Sequence, residues 1–455
     1  MARGINPAKD LDLKPDPSGI RLIGLWFVPG LTRANGWSFI FLSFTAVGLL
    51  TAITGVQTNV LSENFGIAAR DQGQWISALV LWTEFVLLAV FAVVGVAADR
   101  IGRRQLFAVG LVFMGFSYVF HAYAGEIWQL FGARVAYAIG IGAATGMLGT
   151  ILADYPQEVS RGRVVAISGA LTGLGVVLIK LMFGDGARVV VGSLDLPEES
   201  SLTVGLYLIA AVAFVSAAVA AWGLQAGTPT KREERPPVRE LLTAGVREAV
   251  RNPRIAVAYA GAFVARSDLV ILGSFLTLWG RFAVESAGIS GSDAQAMSVR
   301  PFAVAQTAGL LWIVLLGFLL EKRDRLLALA VAFAVATIGY LGMWFVDDLL
   351  SAGAIPLLCM LGAGQISAFW GATTLIGREA PKASRGTVVG AFNLSGVLGI
   401  LVFVALGGVL YDKYGPAAPF LMVGCANLLV MAAAGGLALK ESRDAAAARS
   451  AEGAA

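Results

Sequence analysis

The chain alternates between long apolar runs and short polar connections. Twelve runs stand out, near 36–61, 74–97, 104–123, 127–153, 163–185, 202–224, 255–281, 301–320, 326–346, 354–377, 387–410 and 417–439. A helix crosses the hydrocarbon core with about 20 mostly apolar residues. The runs are too long for barrel strands and show no alternation of period two. The pattern therefore predicts an all-α polytopic membrane protein with twelve transmembrane helices. The longest polar connection, 227–254, lies at the midpoint and is expected to carry a surface helix from Val238 to about Arg251, broken at Pro253. The segment IRLIGLWFVPGL (20–31) is too short to span and is expected to be an interfacial stretch. The low-complexity tail is expected to be disordered. The organisation read from these runs is an N-terminal segment 1–35, a six-helix bundle 36–224, a central loop 225–254, a second six-helix bundle 255–440 and the tail 441–455.

Composition narrows the class further. Of 455 residues, 57% are apolar or aromatic and 14% charged, with a mean hydropathy of +0.76. Soluble domains carry about 25% charged residues, so water-soluble enzymes and nucleic-acid binders are excluded. Sorting Lys and Arg by position gives orientation. The termini and even-numbered loops hold 26, the odd-numbered loops 5 (Arg70, Arg188, Arg281, Arg300, Lys413) and the spans 3 (Arg134, Lys180, Arg266). By the positive-inside rule both termini are expected in the cytoplasm, with the chain in the plasma (cell inner) membrane. Cys359 and Cys425 lie in apolar runs, and a disulfide framework is not expected. One histidine, His121, leaves no multi-histidine metal site, and it is expected at the membrane interface. No cofactor is expected, and no G-x-x-x-x-G-K-[ST] loop for ATP occurs.

The two halves repeat one another. Asp154-Tyr-Pro156-Gln-Glu-Val-Ser160-Arg161-Gly162-Arg-Val-Val follows the fourth run, and Glu379-Ala-Pro381-Lys-Ala-Ser384-Arg385-Gly386-Thr-Val-Val follows the tenth, an offset of 224–225. Gly95-Val-Ala-Ala-Asp99-Arg100-Ile-Gly102-Arg103-Arg104 closes the second run, and Gly317-Phe-Leu-Leu-Glu321-Lys322-Arg323-Asp-Arg325 closes the eighth, an offset of 222. Two loops matching at nearly one offset mark a duplicated bundle. GVAADRIGRR resembles the G-x-x-x-D-R-x-G-R-R signature that major facilitator superfamily transporters carry between their second and third helices. LFGARVAYAIGIGAATG, with Arg134 before a glycine-rich face, resembles that family's fourth-helix signature. The resemblance covers residues 36–440. It implies two pseudo-symmetric six-helix bundles, commonly in a monomer, that rock about a central site. It also implies a gating role for Gly95, Asp99, Arg100, Gly102, Arg103, Arg104, Asp154, Arg161, Glu321, Arg325, Glu379 and Arg385, with Asp154 and Glu379 as partners for neighbouring arginines. The alternative for the basic residues is that they only fix topology.

Charges inside the spans are costly and mark paths or pairs. Glu84 and Arg266 fall near mid-membrane, Arg134 and Lys180 in the outer half, and Asp268 two residues beyond Arg266. Glu84 and Asp268 are candidate proton carriers, with a static partner for Arg134 and a helix–helix contact as their respective alternatives. Arg266 and Asp268 point about 200° apart around their helix and are not expected to pair. Lys180 either contacts substrate or snorkels to the interface. Two acids against three bases leave the interior net positive, which favours an anionic or zwitterionic organic solute. Lining by the first, fourth, seventh and tenth helices, implied by the resemblance, makes Gln57, Arg134, Arg266 and Gln365 the leading substrate contacts. Lys180, Asn393 and Trp370 join them as candidates.

The reading is a secondary active transporter for a small organic solute, anionic or amphipathic, working by alternating access with proton coupling. Its partners are that solute, H+ and the bilayer. A drug/proton antiporter is the alternative within the same fold. Against it, the fifth span reads Gly169-Ala-Leu-Thr-Gly173-Leu174-Gly175, without the proline and final glycine pair of the antiporter pattern. A non-transporting receptor or assembly factor is the alternative from another class. No nucleophile–base set points to an enzyme.

Overall fold

A computed structural model describes residues 15–226, 238–322, 325–381 and 385–452; the side chains of 91–100, 238–244, 317–322, 385–386 and a few scattered positions are outside the description. The helices are α1 (Arg33–Phe65), α2 (Gly73–Ile101), α3 (Arg103–Tyr123), α4 (Ile127–Asp154) and α5 (Glu158–Leu181). After a π turn at Met182–Gly186 come α6 (Ala187–Ser193), α7 (Ser201–Gly223), α8 (Val238–Arg251), α9 (Pro253–Ser286) and α10 (Gly291–Lys322). The chain ends with α11 (Arg325–Gly342), α12 (Ile355–Glu379), α13 (Arg385–Tyr414) and α14 (Ala418–Glu452). Twelve helical segments are long and apolar enough to cross a membrane, with α5, the π turn and α6 forming one rod of 36 residues.

Several helices overrun the apolar runs, because a helix continues past the hydrocarbon as long as its backbone is satisfied. α1 is opened by Thr32, whose side chain accepts from the Asn35 N–H while Asn35 bonds back. It is closed by Gly66 in the left-handed region, φ 64°. α10 begins ten residues before the run at 301, with Pro301 inside the helix. Proline reads as a helix start, and here one lost N–H bond is tolerated mid-helix.

Two six-helix bundles result. In the first, α1 packs on α5 and α7, α3 on α4 and α7, and α2 on α4; in the second, α9 packs on α13 and α12, α11 on α12 and α14, and α10 on α12. The duplication is visible in atomic contacts. A Cβ at Gly175 on α5 would lie 1.7 Å from the Phe44 carbonyl oxygen of α1. A Cβ at Gly399 on α13 would lie 1.8 Å from the Phe263 carbonyl oxygen of α9. The two glycines are 224 residues apart, the same offset as the loop motifs. Only glycine permits backbones this close. The bundles meet along α2 with α13, α5 with α10, and α1 with α9.

Three terminal or connecting segments complete the picture. Residues 20–31, expected to lie in the interface, instead form most of an antiparallel hairpin, β1 (Gly19–Leu22) and β2 (Leu25–Pro29). Its apolar side chains serve the protein core: Phe27 is fully buried and meets Phe39 edge-on at 6.4 Å. The surface helix α8 occupies Val238–Arg251, ended by Asn252, whose side chain caps α9, and by Pro253. α14 stays helical to Glu452, through residues the sequence reading left disordered. Alanine, the strongest helix former, is the commonest residue there.

Candidate functional site

The start of α1 and the end of α14 lie on one face of the bundle pair, called here the terminal face; the opposite one is the distal face. Thirteen residues beyond Pro253, about 20 Å along α9, Arg266 lies across α13. A Cβ at Gly396 would strike its Cδ at 2.2 Å, so the glycine makes room for the arginine stem. Arg266 Nη2 donates to Asn393 Oδ1 at 2.6 Å, and its Nε is buried without a partner. Glu84, on α2 of the other bundle, is half-buried and close enough for its charge to act on Arg266. Among the described residues it makes no hydrogen bond and no ion pair within 4.0 Å. A guanidinium and a carboxylate from opposite bundles therefore face one another without a direct pair.

Arg134 sits deeper in the first bundle, 2% exposed. It reaches Thr83 Oγ1 at 3.5 Å and lies 5.7 Å from the Tyr137 ring, while Nε and Nη2 have no partner. Tyr137 is within electrostatic reach of both Arg134 and Glu84, and its hydroxyl donates to the Leu50 carbonyl. Gln57 and Gln365 are each 3% exposed, with Gln57 Nε2 and Gln365 Oε1 unpartnered. Trp370 is partly exposed and meets Phe369 edge-on at 5.9 Å.

Asp268 and Lys180 stand apart from this group. Asp268 is fully buried inside the second bundle, where Oδ2 accepts from Asn427 of α14 at 3.4 Å. Its Oδ1 has no partner, and Tyr340 donates to its backbone carbonyl. Lys180 does not snorkel: it is 1% exposed, donates to the Gly273 carbonyl at 3.3 Å and places Nζ 3.2 Å from the Phe302 ring centroid. It thereby joins α5 to α9 and α10, across the bundle boundary. His121 is also buried rather than interfacial, its Nδ1 2.7 Å from the Ser117 carbonyl.

Among the described residues, several gating candidates on the terminal face have partners within their own bundle. Gly102, at φ 88°, makes the break between α2 and α3, a conformation that favours glycine. Arg103 then pairs with Asp154. Arg104 reaches the Leu224 carbonyl at 3.4 Å, and Arg161 pairs with Glu158 at 2.6 Å. In the second bundle Glu379 takes Arg254 at 3.1 Å, and Arg254 also binds Glu441. Arg325, the counterpart of Arg103 at offset 222, bonds the Thr374 carbonyl at 3.1 Å instead of the acid. Gly95 and the side chains of Asp99, Arg100, Glu321 and Arg385 lie outside the described residues.

The distal half holds a network that the sequence reading missed. Arg281 of α9 bonds Asn59 Oδ1 at 3.0 Å and Glu63 Oε1 at 3.1 Å on α1, and Glu285 Oε1 at 3.0 Å on its own helix. Glu285 accepts in turn from Ser62 Oγ at 2.8 Å and the Ala69 N–H at 2.9 Å. Asp412 of α13 receives the first N–H groups of α2, Gly73 at 2.7 Å and Gln74 at 3.0 Å. That is a carboxylate on a helix N-terminus. Arg188–Asp293 and Arg300–Asp185, both at 2.6 Å, tie the α5–α6 rod to α10. The π turn leaves the Phe183 carbonyl free to accept from Gln295 Nε2. Every interbundle hydrogen bond or ion pair among the described residues lies in this distal half. Beside it an open vestibule of about 640 Å³ is lined by Glu63, Glu198, Glu199, Arg281 and Glu285 among others. The available signal was the i,i+4 pair Arg281/Glu285; span ends placed at 61 and 281 left these residues in loops. Among the described residues no group of three or more His, Cys, Asp or Glu side chains could hold a metal.

Comparison with known proteins adds the following. The family profile described as Major Facilitator Superfamily matches residues 37–404. The chain is 26% identical to magnetosome protein MamH of Paramagnetospirillum magneticum over 411 residues, 89% of this chain and 92% of that one. Over 126 residues, 27% of each chain, it is 35% identical to the 4-hydroxybenzoate transporter PcaK of Pseudomonas putida. The crystal structure of the nucleoside transporter NupG superposes with a TM-score of 0.69 over 89% of this chain and 99% of that one, at 13% identity. That likeness is one of fold.

Proposed function

Because the chain belongs to the Major Facilitator Superfamily and is an integral membrane protein, we propose that it carries a small organic anion across the membrane by alternating access, coupled to protons. The units that rock are residues 36–224 and 255–440, joined by 225–254 and acting as a monomer. Both termini face the cytoplasm of a cell inner membrane, which makes the present arrangement closed outward. One observation carries the reading: Arg266, held by Asn393, and Glu84 face one another from opposite bundles without a direct pair. A carboxylate-bearing solute satisfies the guanidinium, which offers a planar fork matched to two oxygens. The name of the partial relative PcaK, a transporter of an aromatic carboxylate, supports the same class. Glu84 is the proton carrier best placed to sense the solute, since both act on Arg266. Asp268 is sealed among α9, α11 and α14 and is the weaker candidate. Arg134 lies behind Glu84, and both are within electrostatic reach of Tyr137. Gln57, Gln365 and Trp370 supply further contacts, and Lys180 meets solute only when the distal half opens.

The test is uptake into proteoliposomes under an imposed pH gradient, with 4-hydroxybenzoate as first probe and a panel of other organic anions, amphipathic drugs and sugars. Arg266→Gln is expected to abolish gradient-driven accumulation of the anion, and Glu84→Gln to leave exchange while removing its dependence on the gradient. Accumulation of a neutral or cationic panel member alone would overturn the anion assignment. Tight binding without flux would favour the receptor reading.

A further inference from the structure

The central helix α8 has two dissimilar sides. One packs on the second bundle. Gly245 is buried so closely that a Cβ would come within 2.4 Å of the Ala391 Cβ on α13, and Tyr259 of α9 donates to the Gly245 and Val388 carbonyls at 3.5 and 3.2 Å. Ala249, one turn on, is half-buried against the same core. The other side turns away from the protein. Val246 is 59% and Val250 80% exposed, one turn apart, and the adjoining Arg247 and Arg251 are exposed as well. Among the described residues, Arg251 has one long contact, 3.8 Å, with Glu248.

Depth decides what meets this side. α8 ends at Arg251 and α9 starts its crossing at Pro253, with Asn252 alone between them. α9 has 34 residues, about 50 Å at 1.5 Å per residue, against a hydrocarbon core of about 30 Å. With the excess shared between its two ends, its first turns, and α8 with them, fall in the headgroup layer. At that level a stripe of valines flanked by arginines has apolar groups for the acyl boundary and cations for phosphates.

We propose that the Val246/Val250 and Arg247/Arg251 side of α8 is a lipid-binding surface, docking on anionic headgroups of the leaflet at the terminal face. The surface does not depend on the transport assignment. Its other side rests on α13 at Ala391, on the helix that carries Asn393, so lipid bound there bears on the helix that holds Arg266.

The test uses the full chain with Cys359 and Cys425 replaced and a nitroxide attached at Val246→Cys or Val250→Cys. The protein is placed in vesicles of phosphatidylcholine alone or of phosphatidylcholine with phosphatidylglycerol. Power saturation compares collision with oxygen, which enters lipid, and with a water-soluble nickel chelate. The expected result is an oxygen-to-chelate ratio several-fold higher with phosphatidylglycerol, and loss of that difference in Arg247→Gln/Arg251→Gln. Those arginines are exposed, so the double variant keeps the fold. Free access of the chelate in both vesicles overturns the proposal, because the surface is then in water. Protection from both reagents overturns it too, because protein then covers the surface. A high ratio that is the same in both vesicles overturns the selectivity for anionic lipid.

Discussion

At the scale of single residues, Lys180 presents the sharpest energetic conflict. Its ammonium is buried with only a ring face and one carbonyl for company. A cation over an aromatic ring recovers about 2 kcal/mol when desolvated, which leaves much of the cost of removing an ion from water uncompensated. The closed distal half therefore carries a group that favours opening. Lys180→Met keeps the stem and removes the charge, and it is expected to favour closure by about 1–4 kcal/mol. Slower transport and weaker labelling of distal-face cysteines are the readouts; faster labelling would refute the assignment. Arg281 works in the opposite sense. Removing one partner from a buried charge network costs about 3–5 kcal/mol, so Arg281→Gln, which takes the cation from Glu63 and leaves Glu285 only Ser62 and the Ala69 N–H, is expected to open the distal half and speed the same labelling.

Among the elements, the N-terminal hairpin ties down the loop that carries the first copy of the repeat. Val28 N–H bonds the Tyr155 carbonyl at 2.9 Å, Gln157 N–H the Trp26 carbonyl at 3.0 Å, and Trp26 N–H the Ser160 hydroxyl at 2.8 Å. Gln157 Nε2 also reaches the carbonyls of Asp16 and Phe27. Burial raises the Tyr155 phenol above its usual range, which keeps it neutral, and its oxygen accepts from the Gln225 N–H at 2.9 Å. Gln157→Ala is expected to lower the melting temperature, at about 1 kcal/mol per lost hydrogen bond, and to hasten proteolysis before residue 33. At the hairpin tip Ile23 has φ 49° and 66% exposure. A β-branched residue is strained there, so Ile23→Gly is expected to raise thermal stability by about 1 kcal/mol.

The elements also show what was legible in the residues. A span announces itself through 20 apolar positions, and α8 through a polar segment stopped by Asn252 and Pro253. The hairpin was hidden because Ile20 to Leu31 is apolar for the sake of a protein core, and hydropathy cannot tell a core from an interface. His121 was misplaced, and the snorkelling alternative for Lys180 fails, for a related reason: position along a helix gives depth, while burial depends on which side faces a neighbour. The distal network was lost at span ends, where helices outlast their apolar runs. Arg266 and Glu84, by contrast, were legible because a charge in mid-span is rare enough to stand out.

At the scale of the molecule, the hydrogen bonds and ion pairs between the bundles that join described residues lie in one half. On the terminal face Arg103–Asp154 and Arg254–Glu379 stay within their bundles, while Arg281, Asp412 and Lys180 join the bundles distally. Cysteines placed at Asn393 and at Ser62 are thus expected to react differently with a bulky water-soluble maleimide, the former faster. Equal rates would refute a one-sided opening.

The matched glycines bear on how such a chain is made. Gly175 against Phe44 and Gly399 against Phe263 each hold two backbones together inside one bundle, and Gly408 against Gly73 does so between the bundles, beside polar bonds such as Arg281 with Glu63. Nothing in that arrangement requires a continuous polypeptide. Two fragments, severed within 227–237 and synthesised separately, should each insert, find one another in the membrane and restore function.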